Sequence, residues 1–158
     1  MKVELRKEYK FISDVNSGNR DLIFIRGNYE KLYPKRKISS LYFDTFNLKL
    51  YKDSLINDVD KSKIRFRQYG GSQTINKEIK INSNLGRLKF IERTNYENFD
   101  EIEPFIYKGF LIQPIVLISF DREYFIKKNS RITIDTKLVS KLSKSFNLSQ
   151  AEYFSTKS

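Results

Sequence analysis

Residues 61–81 read K-S-K-I-R-F-R-Q-Y-G-G-S-Q-T-I-N-K-E-I-K-I. Two strand-like runs flank Gly70-Gly71. In the first, Ile64, Phe66 and Gln68 alternate with Lys63, Arg65, Arg67 and Tyr69; in the second, Glu78 and Lys80 share one face, and Ile79 and Ile81 the other. A half-exposed antiparallel strand normally sets an apolar face against the core and a mixed polar face toward water. Here the polar face is a row of long cations, continued on the next strand with one carboxylate among them. Such a row either stands in bulk water or lines a cavity built for a highly charged anion.

The same alternation recurs on either side. Residues 3–12 set Val3, Leu5, Lys7, Tyr9 and Phe11 against Glu4, Arg6, Glu8 and Lys10. Residues 35–44 read as a strand that starts in a basic cluster and ends at Asp44-Thr45. In 86–94, Arg87 and Lys89 oppose Leu88 and Phe90, and in 131–135, Arg131, Thr133 and Asp135 oppose Ile132 and Ile134. Residues 115–126 are the most apolar run, and Arg122 lies inside it. A buried arginine without a partner is costly, so Arg122 is expected to meet an anion.

Helical spacing is weaker. Ser17–Asn19 can open a helix in which Leu22, Ile25, Tyr29 and Leu32 share a face through Tyr33, with Pro34 as its stop. Residues 47–53 suit a helical turn or a short strand, and 95–111 space Phe99, Ile102, Phe105, Ile106 and Phe110 as a helix broken at Pro104. With strands outnumbering helices, the class is α+β with a mainly antiparallel sheet.

Composition narrows the chemistry. At 158 residues and 39% hydrophobic content, one domain with a real core is expected. Thirty Lys+Arg against nineteen Asp+Glu give a net +11, which favours anionic partners. Cys and His both number 0, which removes disulfides, thiolate or imidazole metal sites and Ser-His or Cys-His catalysis. A metal would need carboxylate, backbone and substrate oxygens, which suits Mg or Mn. The N-terminus carries alternating charge and no apolar leader, and no stretch is long and apolar enough to span a membrane; a cytoplasmic protein is the expectation. Tyr69 and Phe66 fall on opposite strand faces, so a specific nucleic-acid surface is not predicted.

Six short pieces then fall in one order: E-Y-K-F (8–11), S-L-Y-F-D-T (40–45), I-R-F-R-Q-Y-G (64–70), E-I-K (78–80), F-D-R (120–122) and R-I-T-I-D (131–135). Together they resemble the VTC (vacuolar transporter chaperone) catalytic domain, the polyphosphate polymerase branch of the CYTH-like triphosphate tunnel metalloenzymes. The resemblance implies an antiparallel β-barrel with covering helices, a tunnel that threads a phosphate chain. It implies binding of ATP and polyphosphate, a divalent metal, Mn or Mg, and transfer of the terminal phosphoryl group to the chain. Carried over position by position, Arg65, Arg67, Lys80 and Arg122 take the catalytic contacts, and Lys10, Lys89 and Arg131 bind substrate. Glu78 is the metal candidate or a lysine partner. Tyr42 and Asp44 read as structural.

Two departures from the family pattern matter. Where the hydrolase branch carries Glu-x-Glu-x-Lys, this chain reads Arg6-Lys7-Glu8-Tyr9-Lys10, which disfavours a triphosphatase. The closing Glu-x-Lys strand has no counterpart after Asp135, so the tunnel domain is drawn at 1–138 with a polar tail at 139–158. Seven strands are one short of closure; the expectation is a truncated or open barrel, or one completed by a homo-oligomer or another partner. The alternatives to the polymerase are a non-catalytic polyphosphate or nucleotide binder and a triphosphatase of the same superfamily.

Overall fold

The computed structural model describes residues 9–56, 61–70, 72–83 and 86–143. Among them are two α-helices, α1 (Val15–Asn28) and α2 (Lys49–Ile56). The strands are β1 (Glu30–Asp44), β2 (Lys61–Tyr69), β3 (Ile75–Ser83), β4 (Gly86–Arg93), β5 (Phe105–Tyr107), β6 (Phe110–Lys127) and β7 (Ser130–Leu142). They form a 7-stranded sheet in the order β4-β3-β2-β1-β6-β5, with β7 paired to β6. The fold is α+β and mainly antiparallel, as the alternation predicts, and the described strands make an open path, not a closed ring.

The described residues divide into two compact units. One holds the chain up to Pro34 with Glu123–Thr133, and the other Lys35–Arg122 with the chain from Ile134. In the first, Arg26 donates to Glu123 at 2.6 Å, and the rings of Tyr33 and Tyr124 meet edge-on at 5.5 Å.

The second unit contains the organising stretch. β1 and β2 pair with Leu41 opposite Phe66 and Phe43 opposite Ile64; β2 and β3 pair with Ile64 opposite Ile79. This face carries the core: Leu41, Phe43, Ile64, Phe66 and Ile75, joined by Ile102 and Ile112. Phe66 touches Phe43 and Phe105 at ring-centroid distances of 5.1 and 6.1 Å. Burying each such side chain contributes roughly 1.5–3 kcal/mol. Leu50 of α2 packs on the same cluster. The helix is anchored there because Asp44 accepts from the N–H groups of Thr45, Leu50 and Tyr51 at 2.7–2.8 Å, while Thr45 Oγ1 accepts from Lys49 N at 2.9 Å. Asp44 is therefore structural, satisfying the orphan donors of a helix start.

Gly70 closes β2 against β1. Its N–H donates to the Lys37 carbonyl at 2.6 Å, and a Cβ there would stand 3.0 Å from Lys37 N. No larger residue fits that approach without moving backbone.

Four sequence expectations change. The first helix stops at Asn28, not at Tyr33, and Pro34 lies inside β1. The residue before a proline is pushed to extended backbone, and pairing with β2 begins only at Ile38, so the missing N–H breaks no bond to that strand. The helix expected in 95–111 is absent apart from a 3-10 turn at Phe99–Glu101; a β5–β6 hairpin takes its place, with Tyr107 opposite Phe110. Its turn residues Lys108 and Gly109 have φ of 49° and 81°, the paired left-handed conformation that matches strand twist. Third, Tyr9–Ile12 carry no regular structure, and the rest of the expected first strand, with the 6–8 register, lies outside the described residues. The expected tail begins as strand, since β7 runs to Leu142; residues 144–158 lie outside the described ones.

Candidate functional site

The face of β2 turned away from the core is the charged one, and the strand register stacks it into rows. Lys61 of β2, Asn82 of β3 and Arg87 of β4 stand opposite one another; so do Lys63, Lys80 and Lys89; then Arg65, Glu78 and Ile91; then Arg67, Asn76 and Arg93. Neighbouring strands lie about 4.8 Å apart, and the rows extend over about 20 Å along β2. Like charges directly opposite in a sheet destabilise it. On these strands the ladder carries a single carboxylate, Glu78.

Glu78 is at the centre and only 2% exposed. Its Oε2 accepts from Arg65 Nε at 2.8 Å and Nη2 at 2.5 Å, and its Oε1 accepts from Lys89 Nζ at 3.3 Å. Arg65 is further held by the Tyr42 hydroxyl, which accepts from its Nη1 at 3.1 Å. Arg67, 7% exposed, donates Nε to Ser40 Oγ at 2.8 Å, and Ser40 itself is fully buried. A flat sheet with a solvated polar face would leave these groups exposed. Burial on both faces of β1–β3 is what a curled sheet produces.

The electrostatics follow from that crowding. Burial works to raise the Glu78 pKa, but the Arg65 hydrogen bond and charge, with Arg67 and Lys89 behind them, outweigh it and hold the carboxyl below its ordinary value. Lys80 is pulled below the ordinary lysine value by burial and by the cations Arg65 and Lys89, against the opposing pull of Glu78. Both directions describe a site with surplus positive charge. It offers an anion several donors at once, among them arginines that stay ionised when desolvated.

The structure brings Arg65, Arg67, Lys80, Lys89 and Glu78 together on this face. Arg122 stands on β6, where its Nε and Nη2 donate to the two carboxylate oxygens of Asp135 at 2.5 and 2.6 Å. The anion it meets is thus in part a side chain of β7. Lys10 and Arg131 belong to the other compact unit; both are exposed, Lys10 ahead of α1 and Arg131 on β7. Sequence reasoning passed over Lys61 and Arg93, which share the ladder rows, and Ser40, which holds Arg67. Parity along each strand could have found the two cations; only the register reveals Ser40.

Glu78 has both oxygens engaged by cations, and among the described residues no group of three or more acidic side chains is placed to hold an ion.

The VTC domain family model matches residues 5–90 and 84–156. The chain belongs to the VTC domain family. That membership points to a polyphosphate-related function for this VTC domain, and the polyphosphate polymerase branch of the tunnel superfamily is consistent with it. No curated protein matches the chain. No helix among the described residues of the VTC domain is long and apolar enough to cross a membrane.

Proposed function

We propose that this VTC domain grips a linear phosphate chain, the triphosphate of ATP or polyphosphate, along the cationic ladder of β2–β4, and passes the nucleotide's terminal phosphoryl group to the chain. The observation that carries the reading is the register: Lys63, Arg65, Arg67, Lys80 and Lys89 face one way around a single buried carboxylate. An oligophosphate has the charge and the linear shape to neutralise such a row.

Phosphoryl transfer asks for positioning and charge neutralisation more than for covalent help. A terminal oxygen of the polyphosphate chain, already ionised at neutral pH, forms a bond to the γ-phosphorus. The bond from that phosphorus to the β–γ bridging oxygen breaks, and ADP leaves with the electron pair. No general base is needed, which agrees with the absence of histidine. Arg65 and Arg67 would neutralise the transferred group, with Lys80 and Lys89 on flanking phosphates. The family resemblance adds Arg122 as a further catalytic contact and Lys10 and Arg131 as substrate contacts. Mg or Mn belongs to this reading as the counter-ion that ATP brings on its own phosphate oxygens, and the cytoplasm as the compartment that supplies ATP.

The test is incubation with γ-labelled ATP, Mn and a short polyphosphate primer, with products separated by gel. Labelled chains longer than the primer are expected, reduced at least about 100-fold in Arg65→Ala. A second reading, binding without turnover, is favoured by the engagement of both Glu78 oxygens. It predicts retained polyphosphate affinity and no labelled chain, and that result would overturn the polymerase reading.

A further inference from the structure

A pocket of about 490 Å³ opens between β1, β6 and β7, lined by Lys37, Leu117, Ser119, Phe120, Asp121, Lys137, Val139 and Lys141. All of these residues belong to one compact unit. Lys37 shares its strand face with Ser39, Leu41 and Phe43, the core face, because Tyr42 and Ser40 are the residues that meet Arg65 and Arg67. Ser39 and Ser119 hydroxyls meet at 2.9 Å, which places β6 residues of that parity on the same side. The pocket therefore lies across the sheet from the cationic ladder.

Its construction involves a backbone irregularity. Asp135 and Lys137 would point the same way on a regular strand. Yet Asp135 pairs with Arg122, and Lys137 Nζ lies 3.7 Å from Asp121, the adjacent β6 residue that faces the opposite side. The break in alternation falls at Lys137, whose φ is 54°. A left-handed non-glycine residue is strained and persists where the surroundings hold it. Here it swings Lys137 to the pocket side, alongside Val139 and Lys141.

The charge on the lining then selects a ligand. Lys37, Lys137 and Lys141 bring three positive charges against the one negative charge of Asp121, which is also contacted by Lys35 at 3.4 Å. A phosphate monoester carries about −1.5 to −2 at neutral pH and matches that surplus. Leu117 and Val139 give the pocket an apolar side, which neither inorganic phosphate nor a polyphosphate chain would use. The volume lies in the range of small-molecule sites, roughly 300–1,000 Å³.

We infer that this pocket is a second, separate binding site for a phosphate monoester whose other half is an apolar or ring group, the phosphate resting on Lys37, Lys137 and Lys141 and the ring on Leu117 and Val139. The inference does not rest on the proposed polymerase activity, since the two sites occupy opposite faces of β1.

The test is calorimetric titration of the full chain with phenyl phosphate, AMP and inorganic phosphate at fixed ionic strength. Phenyl phosphate or AMP is expected to bind at least about 10-fold more tightly than inorganic phosphate. Lys141→Glu and Lys137→Ala, both at exposed positions, are each expected to weaken binding at least about 10-fold, and Arg65→Ala to change it less than about 2-fold. An unchanged thermal melt of the lysine variants shows that they are folded; should one fail that check, the other carries the comparison. The inference is overturned if phenyl phosphate and AMP do not bind the wild type up to 10 mM, if inorganic phosphate binds equally well, or if Arg65→Ala abolishes binding while the lysine variants keep it.

Discussion

Two arginine–carboxylate pairs in the same unit show how one chemistry serves two ends. Arg122 and Asp135 meet fork to fork, two nitrogens on two oxygens, with side chains 25% and 38% exposed. Arg65 loads Nε and Nη2 onto a single oxygen of Glu78, whose other oxygen takes Lys89, with the Arg65 and Glu78 side chains 13% and 2% exposed. The first pair is balanced and close to water, where ion pairs contribute little. The second is one anion among opposed rows of cations, out of water, where a missing partner is expensive. Glu78 is thus an incomplete counter-ion: it steadies Arg65 and Lys89 but is the one carboxylate on a face that also carries Lys63, Arg67 and Lys80.

The sharpest way to break this contrast is to remove each carboxylate in turn. Glu78→Gln is expected to lose about 3–5 kcal/mol of stability in urea titrations, because Arg65 is left buried without its counter-charge. Tripolyphosphate in the buffer should restore part of that loss. If Glu78→Gln proves no less stable than the wild type, the ladder is not electrostatically strained and the account fails there.

Ligand affinity comes next in size. Arg65→Ala and Arg67→Ala are each expected to weaken tripolyphosphate binding by about 1.5–3 kcal/mol, the worth of a charge-assisted hydrogen bond, when followed by calorimetry. Equal affinity in both variants would place the anion elsewhere.

Acid separates the pairs in a different way. The Glu78 carboxyl is held below its ordinary value of 4.5, so the folded state binds its proton more weakly than the unfolded chain. Its contribution is complete above the unfolded pKa and is lost as pH falls from there toward the folded value. Denaturation below about pH 4.5 should therefore be steeper in wild type than in Glu78→Gln, which has no such proton to gain. The smallest effect belongs to Asp135→Asn, expected to cost no more than about 1 kcal/mol under the same urea conditions.

Much of this arrangement was legible in the chain itself. Parity along residues 61–69, 75–81 and 86–93 separates Arg65, Arg67, Glu78, Lys80 and Lys89 from Ile64, Phe66 and Ile79, and the coordinates keep that separation. What parity cannot supply is register. That Glu78 stands opposite Arg65 and not Lys63, or that Ser40 meets Arg67, depends on pairing between strands, which no single strand encodes. Residues 95–111 misled because Phe99, Ile102, Phe105, Ile106 and Phe110 have helical spacing, while the Lys108-Gly109 turn that makes a hairpin is only two residues long. Lys137 was hidden for a related reason: nothing local marks a lysine as the point where β7 reverses its faces.

The ladder lacks an anion of a particular shape, and melting temperature registers its arrival. Tripolyphosphate and sulfate should be compared at equal ionic strength, with the former at about 100 times its Kd. Binding there contributes about 2.7 kcal/mol, a rise of roughly 5–10 °C for a chain of this size. That rise is expected with tripolyphosphate, a far smaller one with sulfate, and in Arg65→Ala a tripolyphosphate rise cut to about half or less, since its weaker binding leaves fewer multiples of Kd in solution. Equal shifts with both anions, or an undiminished tripolyphosphate shift in Arg65→Ala, would contradict it.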